Sequence, residues 1–332
     1  MKTVNVNRRT ILLATGAAAV LAIPVGALAH PQEAASGIRA LGSEVVDLWP
    51  AAAPDTPSRL PVFKAENGSN DPGRPGRWLT GVDRPALVVY RPAKPNGGAV
   101  LVIPGGGYYG EAYDHEGVRQ AEWLTAHGLT VFILVYRLPL EGWDRRSLVP
   151  LQDAQRAMRV IRSRAADYGI DPERVATLGF SAGGHLAGSL LTRSAQQVYA
   201  PVDAADALSA TPSFAGLIYP VVTMEPDTTH AGSREALIGA DADAAATRAA
   251  SVEANVGPET PPAFIVHATD DDVVPVANAT LMYDAMRAAD RPVALHIFEN
   301  GGHGFGASLP VSEPASAWRQ LFLSFAREHE LY

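Results

Sequence analysis

Gly179-Phe180-Ser181-Ala182-Gly183-Gly184-His185 is the stretch whose reading decides the fold. Ahead of it, Arg174-Val175-Ala176-Thr177-Leu178 has the apolar, β-branched character of a buried strand, and residues 183–191 read as a helix. Gly179 and Gly183 flank Ser181 in a G-x-S-x-G pattern. A sharp strand-to-helix elbow needs such bare neighbours, because the serine Oγ must stand exposed at its tip. The pattern is short enough to arise by chance in a chain with 30 Gly, so its surroundings have to carry the reading.

Further strand-like runs lie on both sides, at Ala86–Tyr90, Ala99–Ile103, 129–136, 214–219, 263–267 and Val293–Phe298. Ala99-Val100-Leu101-Val102-Ile103 is apolar throughout, as expected of a strand buried on both faces. Between these runs, apolar residues recur at helical spacing over 116–127, 151–168, 276–289 and 314–330. The alternation predicts a single α/β domain over residues 30–332, with a mostly parallel central sheet and helices on both faces. Residues 30–60, Ala/Pro-rich, read as a surface wrap, 72–78 as a loop, and 221–260 as an insertion over the sheet. Arg156, Arg159 and Arg162 share one face of the 151–168 helix, and the ordinary expectation for such a stripe is a solvated face.

Of 332 residues, 47% are hydrophobic and 19% charged, enough apolar content for a large core. The absence of Cys excludes disulfides, thiolate metal sites, cysteine nucleophiles and a lipoprotein anchor. A formal charge of −8 argues against a nucleic-acid partner. Residues 1–29 read as an export signal: Lys2, Arg8 and Arg9 precede an apolar run over 11–23, and Ala27-Leu28-Ala29 offers small residues for cleavage near Ala29. Asn7-Arg8-Arg9-Thr10-Ile11-Leu12 resembles the twin-arginine motif. The expectation is a periplasmic or extracellular protein with no stable membrane anchor after cleavage; the oligomeric state is left open.

A serine nucleophile needs a base, a carboxylate to orient that base, and donors for the developing oxyanion. In parallel α/β sheets these should gather beyond the carboxyl ends of the strands. His303, in Asn300-Gly301-Gly302-His303-Gly304-Phe305-Gly306, follows the last strand and is the expected base. His185, one turn beyond Ser181, reads as packing below the elbow, and His267 and His296 lie within strands. Asp270, Asp271 and Asp272 all follow the 263–267 strand, and each could supply the carboxylate. Serine, acid, histidine is the α/β-hydrolase order. For the oxyanion, the amide of Ala182 and the loop Gly105-Gly106-Gly107 are the candidates; that loop lacks the spacings of phosphate-binding motifs. This chemistry needs no metal or other cofactor.

Taken together, Val102-Ile103-Pro104-Gly105-Gly106-Gly107-Tyr108, Asp114-His115-Glu116-Gly117, Tyr136-Arg137-Leu138, Leu151-Gln152-Asp153-Ala154, the 179–185 elbow, the 271–275 run and Gly301 to Phe305 resemble the acetylxylan and feruloyl esterase branch of the α/β-hydrolases, related to the hormone-sensitive-lipase-like esterases. The resemblance implies that Gly106 and Gly107, with Ala182, form the oxyanion hole. It also favours Asp271 among the aspartates, because the family's acid precedes Val-Pro at the spacing of Asp271 to Val274-Pro275. Pro104 replaces the His that lipase-like relatives place before the glycines, which points to the carbohydrate-esterase side. The implied activity is hydrolysis of small-molecule or polysaccharide esters, with O-acetylated carbohydrates first and short-chain carboxylesters or feruloyl esters as alternatives. Prolyl-oligopeptidase-like peptidases share the triad, but fewer than about 120 residues precede the hydrolase strands, too few for their propeller. A non-catalytic binding protein on the same scaffold is the rival outside catalysis. Tyr108, Tyr109 and Asp114 are the expected substrate contacts, with Tyr113, Trp143 and Glu116 nearby; Asp114 could instead cap the following helix.

Overall fold

Each apolar run predicted as a strand is one, and the sheet they form fixes the rest. The computed structural model describes residues 37–71 and 73–332; the export-signal region, 1–29, lies outside them. The strands are β1 (Val45–Asp47), β2 (Lys64–Asn67), β3 (Arg77–Thr80), β4 (Ala86–Tyr90), β5 (Ala99–Ile103), β6 (Thr130–Val135), β7 (Val175–Phe180), β8 (Ala215–Ile218), β9 (Ala263–Ala268) and β10 (Val293–Phe298). Eight of them form one sheet in the order β1-β4-β6-β5-β7-β8-β9-β10. β4 alone runs against its neighbours; from β6 to β10 every pairing is parallel.

The helices are α1 (Arg119–Thr125), α2 (Val149–Ser163), α3 (Ala165–Tyr168), α4 (Ser181–Arg193), α5 (Ala231–Leu237), α6 (Ala244–Ala250), α7 (Ala277–Ala288) and α8 (Trp318–Glu328). Side chains alternate across a strand, so β5 feeds both faces of the sheet. Leu101 and Ile103 join one core with Met158 of α2, Leu186 of α4 and Met282 of α7. Val100 and Val102 join the other with Leu124 of α1 and Phe322 of α8. Full burial of each such side chain stabilises the fold by about 1.5–3 kcal/mol. That is why an uninterrupted apolar run can only sit at the centre of the sheet.

Several expectations need correction. The 30–60 wrap contributes β1, paired antiparallel with β4, and buries Leu48 and Trp49. The 72–78 loop ends earlier than expected, because Arg77 opens β3, which pairs with β2 in a separate two-stranded ribbon. Two arginines of the α2 stripe, Arg156 and Arg162, are buried, and Arg159 is partly exposed. Arg156 is buried against Asp203 and Asp206, and Arg162 donates to the carbonyls of Pro172, Ser209 and Thr211. Residues 201–211 fold over that face and bring the acceptors, which a helical pattern alone cannot reveal. Residues 221–260 lie between β8 and β9, carry α5 and α6, and pack Ala236, Leu237 and Val252 into the core. Among the described residues no helix is long and apolar enough to cross a membrane.

Candidate active site

β7 ends at Phe180 and α4 begins at Ser181, with no residue between them. Ser181 takes a φ of +52°, a left-handed conformation that costs a non-glycine residue roughly 1–3 kcal/mol and is typical of strained functional turns. The turn fits because Gly183 has no side chain: a Cβ there would stand 2.2 Å from the Ile103 carbonyl oxygen. The elbow is thus pressed against the end of β5.

Two loops at the same carboxyl end of the sheet reach the serine. His303, in the loop after β10, has its Nε2 2.9 Å from Ser181 Oγ. Its Nδ1 stands 2.8 Å from Asp271 Oδ2 in the loop after β9. This network assigns the tautomer, with Nδ1–H donating to Asp271 and Nε2 accepting from the serine hydroxyl. Asp271 Oδ1 accepts from the amides of Val273 and Val274, at 3.0 and 2.8 Å. Burial would push this carboxyl up; hydrogen bonds from His267, His303 and the Val274 amide outweigh it and hold Asp271 well below the usual carboxylate range. Asp271 therefore stays ionised wherever an imidazolium could form beside it. Of the other two aspartates, Asp270 is exposed and accepts from the Gly302 amide at 2.8 Å, bracing the histidine loop. Asp272 is exposed.

The glycine loop after β5 lies beside the elbow. The Gly105 amide donates to Glu116 Oε2 at 2.7 Å and is used up, whereas the amides of Gly106, Gly107 and Ala182 meet no acceptor among the described residues. Gly106 takes φ +134°, and a Cβ on it would overlap the Gly110 carbonyl oxygen at 2.2 Å, so only glycine fits this loop. The arrangement can deliver a serine alkoxide to a carbonyl carbon and hold the resulting oxyanion on three amides.

The expected substrate contacts fare unevenly. Tyr108 is buried, and its hydroxyl hydrogen-bonds His185 Nδ1 at 2.7 Å, so it points into the packing below the elbow and away from the cleft. Asp114 is also buried; it takes the Arg77 amide at 2.6 Å and forms an ion pair with the Arg77 guanidinium, and it neither faces solvent nor caps a helix. Tyr113 and Trp143 are core residues. Tyr109 is exposed and stays a candidate contact. His185 is packing, as expected, with Nε2–H donating to the Ala250 carbonyl.

Three side chains near the chemistry escaped the sequence reading. Trp78 of β3 lies against Gly106 and Gly110 with a partly exposed ring; its place in a presumed loop hid it. His230, before α5, stands over Gly107 and beside Tyr109. Tyr219, at the end of β8, packs its ring 5.0 Å from that of His303. Its position directly after a strand was the available signal. A surface cavity of about 360 Å³ between Trp49 and Pro85 involves none of these residues.

A serine at a strand–helix elbow, an acid after a later strand and a histidine after the last, all at one edge of a mostly parallel sheet, define an α/β-hydrolase. Within that class the chain belongs to the BD-FAE family, whose model matches residues 87–286. It is 35% identical over 224 residues to an acetylxylan esterase of Xylanibacter ruminicola, a match covering 66% of this chain and 43% of that protein. It is 37% identical over 205 residues to endo-1,4-beta-xylanase B of Butyrivibrio fibrisolvens, covering 62% of this chain and 32% of that one. The chain thus spans less than half the length of these curated relatives. The crystal structure of an acetyl ester-xyloside bifunctional hydrolase from Caldicellulosiruptor lactoaceticus superposes with a TM-score of 0.69 at 30% identity, covering 86% of this chain and 96% of that one.

Proposed function

We propose that the chain is an exported serine esterase that removes acyl groups, foremost acetyl, from O-acylated carbohydrates such as xylan. The observation that carries this reading is the unbroken series from Ser181 Oγ through His303 to Asp271, set beside unpartnered amides. Ser181 attacks the ester carbonyl while His303 Nε2 takes its proton. The amides of Gly106, Gly107 and Ala182 hold the oxyanion, and Asp271 steadies the imidazolium. His303 returns the proton to the departing alcohol, leaving an acyl-serine. It then activates water, which attacks the acyl carbon and frees the acid.

Trp78 and Tyr109 present exposed aromatic surface beside the glycine loop, which suits the face of a sugar ring. The names of the relatives support the carbohydrate part. The sequence of residues 1–29 supports export, by the twin-arginine route, with the mature protein free of the membrane. The test is a screen of acetylated xylan, acetylated monosaccharides, feruloylated sugars and p-nitrophenyl esters of rising chain length, with Ser181→Ala as control. Release of acetate from xylan that vanishes in Ser181→Ala is expected. Turnover restricted to long-chain esters would overturn the substrate, and full activity in Ser181→Ala would overturn the mechanism.

A further inference from the structure

Residues Tyr113–Val118 form a π-helical turn, a rare geometry that is enriched at functional sites. Three consecutive side chains leave it in different directions, and each ties down a separate part of the site. Asp114 holds Arg77 and with it β3, whose Trp78 lies on the glycine loop. His115 accepts from Arg119 Nη1 on Nδ1 at 2.7 Å, so its proton sits on Nε2 and is donated to the Gly304 carbonyl, next to His303. Glu116 is the centre of the arrangement. Its Oε2 accepts from the Gly105 amide at 2.7 Å and its Oε1 from the Tyr219 hydroxyl at 3.0 Å. The Tyr219 oxygen in turn accepts from the Gly306 amide at 3.1 Å, and the Tyr219 ring packs edge-on with that of His303. Tyr219 is held at φ +37°, a strained conformation for a tyrosine that these contacts fix in place.

Resting on the serine-esterase reading, we propose that Glu116 is a positioning residue: its buried carboxyl group locks the oxyanion loop and the histidine loop in register. Both carboxylate oxygens face donors that have nowhere else to donate. A proton on Oε1 would leave the Tyr219 hydroxyl hydrogen without a partner, since the Tyr219 oxygen already accepts from Gly306. Burial holds the Glu116 carboxyl above the usual carboxylate range, and His115, the Gly105 amide, Tyr219 and His303 offset only part of that rise. The charged and titratable groups around His303 are Asp271 and exposed Asp270 from the β9 loop, Ser181 from the elbow, Tyr219 from β8, His230 from the segment before α5, and Glu116. Around Glu116 itself stand His115, Tyr219 and His303, with Arg119 beyond His115, while Arg77 and Asp114 neutralise each other. Glu116 is the buried carboxyl group of this set that does not touch His303 directly.

The experiment compares wild type, Glu116→Gln, Tyr219→Phe and the double variant on p-nitrophenyl acetate at pH 7.5, with thermal melts and titration of active serines. Glu116→Gln should lower kcat roughly tenfold to a hundredfold with KM little changed, as a loosened geometry does. Tyr219→Phe should lower kcat as well, because it cuts the link from Glu116 to the histidine loop. The double variant Glu116→Gln/Tyr219→Phe should lose little beyond Glu116→Gln alone, since both changes break the same link. Additive losses in a folded double variant overturn the proposal, as does a Glu116→Gln variant that only melts earlier while keeping wild-type kcat per active serine. If Glu116→Gln does not fold, wild-type kcat in Tyr219→Phe overturns it. A wild type without esterase activity counts against the serine-esterase reading instead.

Discussion

His267 and His303 meet the same oxygen of Asp271: His267 Nε2 at 3.2 Å and His303 Nδ1 at 2.8 Å from Oδ2. His267 Nε2–H donates to the Val274 carbonyl at 2.9 Å, while its Nδ1 is buried with no hydrogen-bond partner among the described residues. The N–H of this buried ring reaches the Val274 carbonyl with Asp271 Oδ2 also close by, so the ring braces the loop that carries the acid. His267→Leu should cost about 1–3 kcal/mol of stability through the lost donor to Asp271 and Val274. It should also lower kcat, because the Asp271 carboxylate loses one of the groups that fix it. Urea melts and steady-state kinetics check both effects; wild-type kcat in the folded variant would show that the two amides on Oδ1 suffice.

Asp271→Asn should be far more damaging than either neighbouring change. Replacing the anion with an amide removes the imidazolium's partner and favours the wrong tautomer, which costs roughly 10³–10⁴ in kcat in a triad of this kind. Asp270→Asn keeps an oxygen for the Gly302 amide and should have a small effect, and Asp272→Asn almost none. Parallel kinetics of the three variants decide this, and any other ranking would reassign the acid.

The contrast among these aspartates marks what could be read from the sequence. Buried strands were legible because full burial demands apolar residues at every position, and Ser181 and His303 because each follows a strand in a glycine-rich turn. Adjacent aspartates, by contrast, differ only in where a loop points them, and residue composition leaves that open. Asp114 and Tyr108 misled for the same reason: both sit beside the site in sequence, but Asp114 turns to Arg77 and Tyr108 to His185. The π-helical turn has a spacing that a helical period does not register. The arginine stripe of α2 looked solvated because its acceptors come from a segment about 50 residues away. Long-range polar pairing has no local signature.

One such pairing gives a stability prediction. Arg137 and Asp153 form a fully buried ion pair at 2.8 Å, with Trp49 Nε1 also donating to Asp153 at 2.8 Å. Buried pairs gain little net stability when intact, but removing one partner strands a charge. Arg137→Met should therefore destabilise by about 3–5 kcal/mol, whereas the double variant Arg137→Met/Asp153→Leu should recover part of that loss. Chemical denaturation of the single and double variants measures it; an additive double variant would refute the coupling.

His185 links the elbow's packing to pH. Its Nδ1 accepts from the Tyr108 hydroxyl and its Nε2–H donates to the Ala250 carbonyl, so the fold holds the neutral ring. Burial lowers its pKa to about 4, against 6.5 when unfolded. Between those values the unfolded chain binds a proton that the folded chain refuses. Stability from this residue is therefore fully present above pH 6.5 and drains away as pH falls toward 4, at up to about 1.4 kcal/mol per unit. His230, His296 and His329 are also lowered by burial and add to the same trend, so the informative quantity is the difference between two proteins. Urea denaturation of wild type and His185→Gln at pH 7.5, 6.5, 5.5 and 4.5 should show the variant less stable at neutral pH. The gap should close as the pH drops, because glutamine takes up no proton. Parallel curves would mean that His185 binds its proton in the fold as readily as outside it.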